Sequence, residues 1–165
     1  MGSMLMRAID EAGFSETQRR VLAGERLAPE EFERLRAADL LVVAGLADLK
    51  RKQFRGDQVR LIGSERPEDP TLQVFDPSVQ QKAATGADLL REIALLRLRT
   101  PGEQALAVSF DELGVELAQT ALVFGADVLF GDLGGKRTLP LIDGPEARRN
   151  ELKGLIQRSG REVLT

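Results

Sequence analysis

The segment Glu116–Gly135, ELAQTALVFGADVLFGDLGG, runs from a helix-like stretch through a glycine into a short β-like run and a second glycine-rich loop. In open α/β proteins, loops that leave the carboxyl ends of strands are where ligands gather. The groups here that could do chemistry are Glu116, Gln119, Asp127, Asp132 and, further on, Asp143. Two facing carboxylates could relay protons or hold a divalent cation. Glu116, Gln119, Asp127 and Asp132 together could also line a pocket for a nucleoside or a carboxylate. Asp127 and Asp132 flank a predicted strand over 128–130, which places them at its opposite ends, where aspartate commonly serves as a turn residue. The loop GDLGGKRT (131–138) invites comparison with a phosphate-binding loop, G-x-x-x-x-G-K-[ST]. It fails twice: Phe130 stands where the first glycine is needed, and Arg137 where the hydroxyl is needed. A surface loop is the simpler reading.

The residue types that are missing narrow the chemistry further. The chain has no cysteine, histidine, tyrosine or tryptophan. Thiolate nucleophiles, thiolate-held iron–sulfur clusters and the side chain that titrates near neutrality are therefore unavailable. General acid–base work would rest on Asp, Glu or Lys with displaced pKa values. The expectation is a protein with no catalytic residue, no metal and no cofactor.

A chain of 165 residues accommodates one domain with a proper core. Its 42% hydrophobic and 30% charged residues are those of an ordinary globular protein. The net charge of −3 argues against nucleic-acid binding, which needs a basic face. No apolar run reaches the ~20 residues of a membrane span. The leading MGS (1–3) resembles a tag remnant, with Met4 as the natural start; without a signal segment or cysteines, the cytoplasm is the expected compartment.

Helical patterns dominate the first half. Ser15 is a candidate N-cap for SETQRRVL, and Pro29, Glu30 and Glu31 suit a helix first turn. A third helix is predicted over 40–55, ending at Gly56-Asp57. Its basic end, KRKQFR, contains Lys50, Arg51 and Arg55, which either complement the helix dipole or form a binding patch. QVRLIG alternates as a short strand, and SERPEDPTLQVFDPS (64–78) reads as a loop with an edge strand in TLQVF. The helix 86–99 carries a wide apolar face that includes Leu89, Ile93 and Leu96; it belongs to the core or docks a partner helix. A buried strand over 104–110, a helix over 112–124, a strand over 128–130, a helix over 145–159 and a last strand in REVLT complete a β-α-β-α pattern, which implies parallel strands.

Several of these pieces, in this order, resemble a known family. AGERL (23–27), the apolar run 40–48, Arg51 and GDQV (56–59) are similar to the N-terminal leader of the radical S-adenosylmethionine enzymes of the futalosine route to menaquinone, aminofutalosine synthase and dehypoxanthine futalosine cyclase. ATGADLLREIALLRLR (84–99) and GVELAQTALVFGADVLFGDL (114–133) resemble the last barrel units of those enzymes, and NELKGLIQRSGREV (150–163) their closing helix. The resemblance covers roughly two-thirds of the chain. It implies βα units of a barrel. The family's C-x-x-x-C-x-x-C cluster loop should follow the first strand, but SERPEDPTLQVFDPS stands there instead. The central strands and the glycine-rich cofactor segment are also missing, Val128 replaces an acid and Asp132 a threonine.

The expected architecture is an α/β fold: a helical N-terminal layer and first strand (4–63), a loop (64–83), and a partial, half-barrel-like βα unit with parallel strands (84–165), all in a single domain over 4–165. The expected function is non-catalytic binding of another protein, or of a second copy in a homodimer, with no nucleic acid and no membrane as partner. The candidate interaction surface is Leu89, Ile93, Leu96, Lys50, Arg51 and Arg55. The alternative is a small-molecule, nucleoside-type binder that keeps a residual pocket at Glu116, Gln119, Asp127 and Asp132.

Overall fold

A computed structural model of the chain describes residues 2–79, 84–134 and 145–164. Four helices come first: α1 (Gly2–Glu11), α2 (Ser15–Leu22), α3 (Pro29–Arg36) and α4 (Leu40–Arg55). Strands β1 (Gln58–Ile62) and β2 (Leu72–Val74) follow, then α5 (Gly86–Arg99) and β3 (Ala105–Ser109). The chain continues through α6 (Phe110–Leu113), α7 (Val115–Ala121), β4 (Val128–Phe130), α8 (Pro145–Arg158) and β5 (Glu162–Leu164).

Local chemistry explains most of the boundaries. Asp39 starts α4 by accepting the Leu41 N–H at 2.9 Å, and Gly56, with φ of 70°, ends it. Thr85 and Asp88 form a reciprocal cap on α5: the Asp88 carboxylate accepts the Thr85 N–H at 2.8 Å, and the Thr85 hydroxyl accepts the Asp88 N–H at 3.2 Å. Two expectations need correction. Ser15 is the first residue of α2 and Phe14 occupies the cap position; the Ser15 hydroxyl donates instead to Asp10. The helix expected over 112–124 is broken at Gly114, whose φ of 82° separates α6 from α7, and its last turn is a 3-10 turn.

The strands form one parallel sheet in the order β2-β3-β4-β1-β5. Its two faces differ. Val59, Leu106, Val108 and Leu129 join the main core with residues of the helices, among them Val43, Leu46, Ile93, Leu95, Leu122, Leu152 and Ile156. Ile62, Leu72, Val74, Ala105, Ala107, Val128 and Phe130 project from the other face and pack in a separate cluster to which no described helix contributes. The described helices thus share one face.

That arrangement fixes the path of residues 63–71. Parallel pairing requires this segment to return from the carboxyl end of β1 to the amino end of β2, three strand spacings away, about 14 Å. An extended segment of this length reaches roughly 30 Å, so no crossover helix is needed. The β1-to-β2 step runs across the sheet in the direction opposite to the β2-β3-β4 steps. Strand–crossover–strand units keep one hand, so the segment crosses the helix-free face. Asp69 lies there, 3.7 Å from Arg60, a residue of that face.

Candidate functional site

Asp127, at the amino end of β4, is 2% exposed and accepts from three partners. Its Oδ1 accepts the Leu106 N–H of β3 at 2.7 Å and faces Arg97 Nη2 of α5 at 3.3 Å. Its Oδ2 accepts Arg55 Nε of α4 at 2.6 Å. Arg97 in turn donates to the Gly125 and Gln104 carbonyls, both at 2.9 Å, and Arg55 to the Glu103 carbonyl at 2.9 Å. Burial lowers the Arg97 pKa, and the Asp127 carboxylate opposes that shift. One carboxylate therefore ties two helices and two strands together, with each oxygen already engaged by a donor.

Gly125 makes this network possible. It adopts φ of 102°, and a Cβ there would lie 2.6 Å from Arg97 Cγ. Arg161 closes the neighbouring corner, reaching the Leu122, Asp57, Ala126 and Gln58 carbonyls at 2.8–3.4 Å. Lys50 is 7% exposed and donates to the Leu98 and Thr100 carbonyls at 2.9 and 2.7 Å, which satisfies acceptors at the end of α5. Burial, reinforced by the Arg97 charge and opposed by Glu103, pulls its pKa down from 10.5 to about 8.

The four candidate ligand residues do not converge. Glu116 sits in the first turn of α7. Gln119, one turn on, donates its side-chain amide to the Leu155 carbonyl of α8 at 3.0 Å. Asp127 lies at one end of β4 and Asp132 beyond the other, as their flanking positions predicted. Asp132 uses Oδ1 to accept the Gly134 N–H at 2.7 Å, while its own N–H donates to Asp111 at 2.7 Å. Asp143 and residues 135–138 of the glycine loop lie outside the described residues.

The candidate interaction surface is also absorbed into the fold. Ile93 is fully buried, and Leu89 and Leu96 are half-buried against the same core. Arg51, 3% exposed, pairs with Asp48 at 2.7 Å and Asp57 at 3.0 Å and donates to the Gly56 carbonyl. With Lys50 and Arg55 held as above, the basic end of α4 serves to join α4 to α5 and to the strands. The apolar face of α5 packs inward because α4 lies against it.

Sequence reasoning missed Arg97, Arg161 and the burial of Lys50. For two of them a signal existed. Arg97 follows Leu90, Ile93 and Ala94 on one helical stripe, and Lys50 follows Val43, Leu46 and Ala47. A cation that continues an apolar stripe must find an acceptor inside the protein.

Beside the network, a cleft of about 390 Å³ opens at the amino ends of the strands, lined by Arg55, Gln58, Arg60, Thr71, Glu103 and Asp127 over Ala105 and Val128. No described helix is long and apolar enough to cross a membrane. No protein family, no curated protein and no solved structure matches the chain.

Proposed function

We propose that this chain is a non-catalytic protein that acts by binding another protein, built on the scaffold of the futalosine-route radical S-adenosylmethionine enzymes with its central strands lost. The strand order carries the scaffold part of the reading. In a closed βα barrel the last strand stands beside the first. Here β2, β3 and β4 stand side by side in chain order and β1 follows β4, with the described helices on one face. Removing the middle strands of a barrel leaves that order, and β5 then takes the place beside β1. The chain contains no cysteine with which to hold a cluster.

Protein binding is favoured by where three of the exposed large apolar side chains lie. Met4 and Met6 on α1 are 79% and 48% exposed, and Leu41 on α4 is 71% exposed. Helix α1 sits close on α4 because position 45 is glycine: a Cβ there would come within 2.5 Å of Leu5 Cδ1. Met4 and Met6 flank Leu5 on either side of α1, and Leu41 is one turn before Gly45 on α4, so exposed apolar side chains border both edges of the α1–α4 junction, the strip proposed for docking. Light scattering of the purified chain, with futalosine-type nucleosides and S-adenosylmethionine assayed for turnover, tests the reading. A specific complex, with itself or a second protein, and no turnover is the expected outcome. Turnover of either compound, or a monomer that engages no partner, contradicts it.

A further inference from the structure

The edge of the sheet at β5 holds a cleft of about 320 Å³ lined by Arg60, Leu61, Arg149, Lys153, Val163 and Leu164. Its charged members are all cations. Arg149 and Lys153, one turn apart on α8, are half-buried, and among the described residues neither makes an ion pair or hydrogen bond. Like charges at this spacing repel, and partial burial strips water from both. Arg60, which approaches Asp69 only to 3.7 Å, keeps half of its side chain exposed. The apolar side of the cleft is Leu61 and Val163, both half-buried, and Leu164, 46% exposed.

The register pairs Arg60 of β1 with Leu164 of β5. The Asp57 carbonyl bonds the Glu162 N–H, so the odd-numbered residues of β1 direct their backbone groups towards β5. Arg149 reaches the end of β1: a Cβ on Gly63 would lie 3.2 Å from Arg149 Nη2, with Leu133 Cδ1 nearer at 2.4 Å.

We propose that this cleft binds a small organic anion, a carboxylate or phosphate monoester carried on a compact apolar body. Arg149 and Lys153 take the anionic group, Leu61 and Val163 take the apolar body on the face that α8 covers, and Leu164 borders it at the sheet edge. Each half answers a feature of the cleft: the anion neutralises two cations that have no partner among the described residues, and the body covers the apolar lining. The site is made by β1, β5 and α8 and does not depend on the protein-binding strip on α1 and α4.

The test is titration of the whole chain at low salt with phenyl phosphate, benzoate, inorganic phosphate and benzyl alcohol, read by backbone amide NMR shifts. Phenyl phosphate or benzoate should move the Leu61, Gly63, Val163 and Leu164 signals in a saturable way, and the stronger of the two identifies the anionic group. Inorganic phosphate should bind more weakly and benzyl alcohol not at all. An R149A/K153A double variant should lose about tenfold or more in affinity; a K153E variant should do the same, while R158A, exposed on the same helix, should bind as the parent does. The proposal is overturned if neither organic anion moves those amides, if benzyl alcohol binds as well, if inorganic phosphate binds as tightly as phenyl phosphate, or if the K153E variant retains full affinity.

Discussion

Asp127 Oδ1 and Arg97 Nη2 meet at 3.3 Å with side chains 2% and 0% exposed, joining β4 to α5 across 30 positions of sequence. Breaking one member of a buried, hydrogen-bonded ion pair strands the other charge, which typically costs about 3–5 kcal/mol. Asp127→Ala should therefore lose stability on that scale in urea denaturation. Asp132→Ala, at the exposed far end of the same strand, should change it by no more than about 0.5–1 kcal/mol. Equal losses from the two would contradict the assignment of Asp127 as a structural hub.

Gly125→Ala is expected to damage the same network from the backbone side. A left-handed residue with a Cβ costs about 1–2 kcal/mol, and displacing Arg97 from its packed position adds about 1–3 kcal/mol. Gly56 also has a positive φ, but a Cβ there would meet nothing within 4 Å. Gly56, with ψ of −161°, lies in a region open essentially only to glycine, so Gly56→Ala should cost about 1–3 kcal/mol from the backbone with no clash added. Melting temperatures of the two variants, measured side by side, check the difference.

Lys50 makes stability depend on alkaline pH. Its folded pKa, about 8, lies below the ordinary 10.5. Between those values the unfolded chain holds a proton that the folded chain has released, so unfolding free energy rises with pH across that window. Below about pH 8 the folded protein carries the whole cost of the buried charge, roughly 3 kcal/mol. Compared with a Lys50→Met variant, the parent should gain stability from pH 7 to pH 9. Parallel denaturation curves show it as a changing difference; a constant one would contradict it.

These expectations rest on contacts that the sequence discloses unevenly. All five strands and the ends of α4 and α5 are readable locally, since alternation, Asp39, Thr85, Asp88 and Gly56 act within a few positions. The parallel pairing follows from the β-α alternation. The strand order does not, because nothing near β1 says that it will lie between β4 and β5. The break at Gly114 is a matter of one backbone angle within an otherwise helical run. The surroundings of the candidate site are hidden in the sequence for a related reason. Whether Asp127 is free to meet a ligand depends on Arg55, Arg97 and Leu106, which lie 72, 30 and 21 positions away. Only the tertiary fold brings them to it.

The most direct measurement of the central claim is site-specific photocrosslinking in the native cell from a benzophenone side chain at Leu41, with the same group at Arg158 as the control. Protein binding through the α1–α4 strip predicts one discrete adduct from Leu41, to a second copy or to a particular other protein, and none of the same mass from Arg158. A chain that runs as an unmodified monomer from both positions would contradict the account.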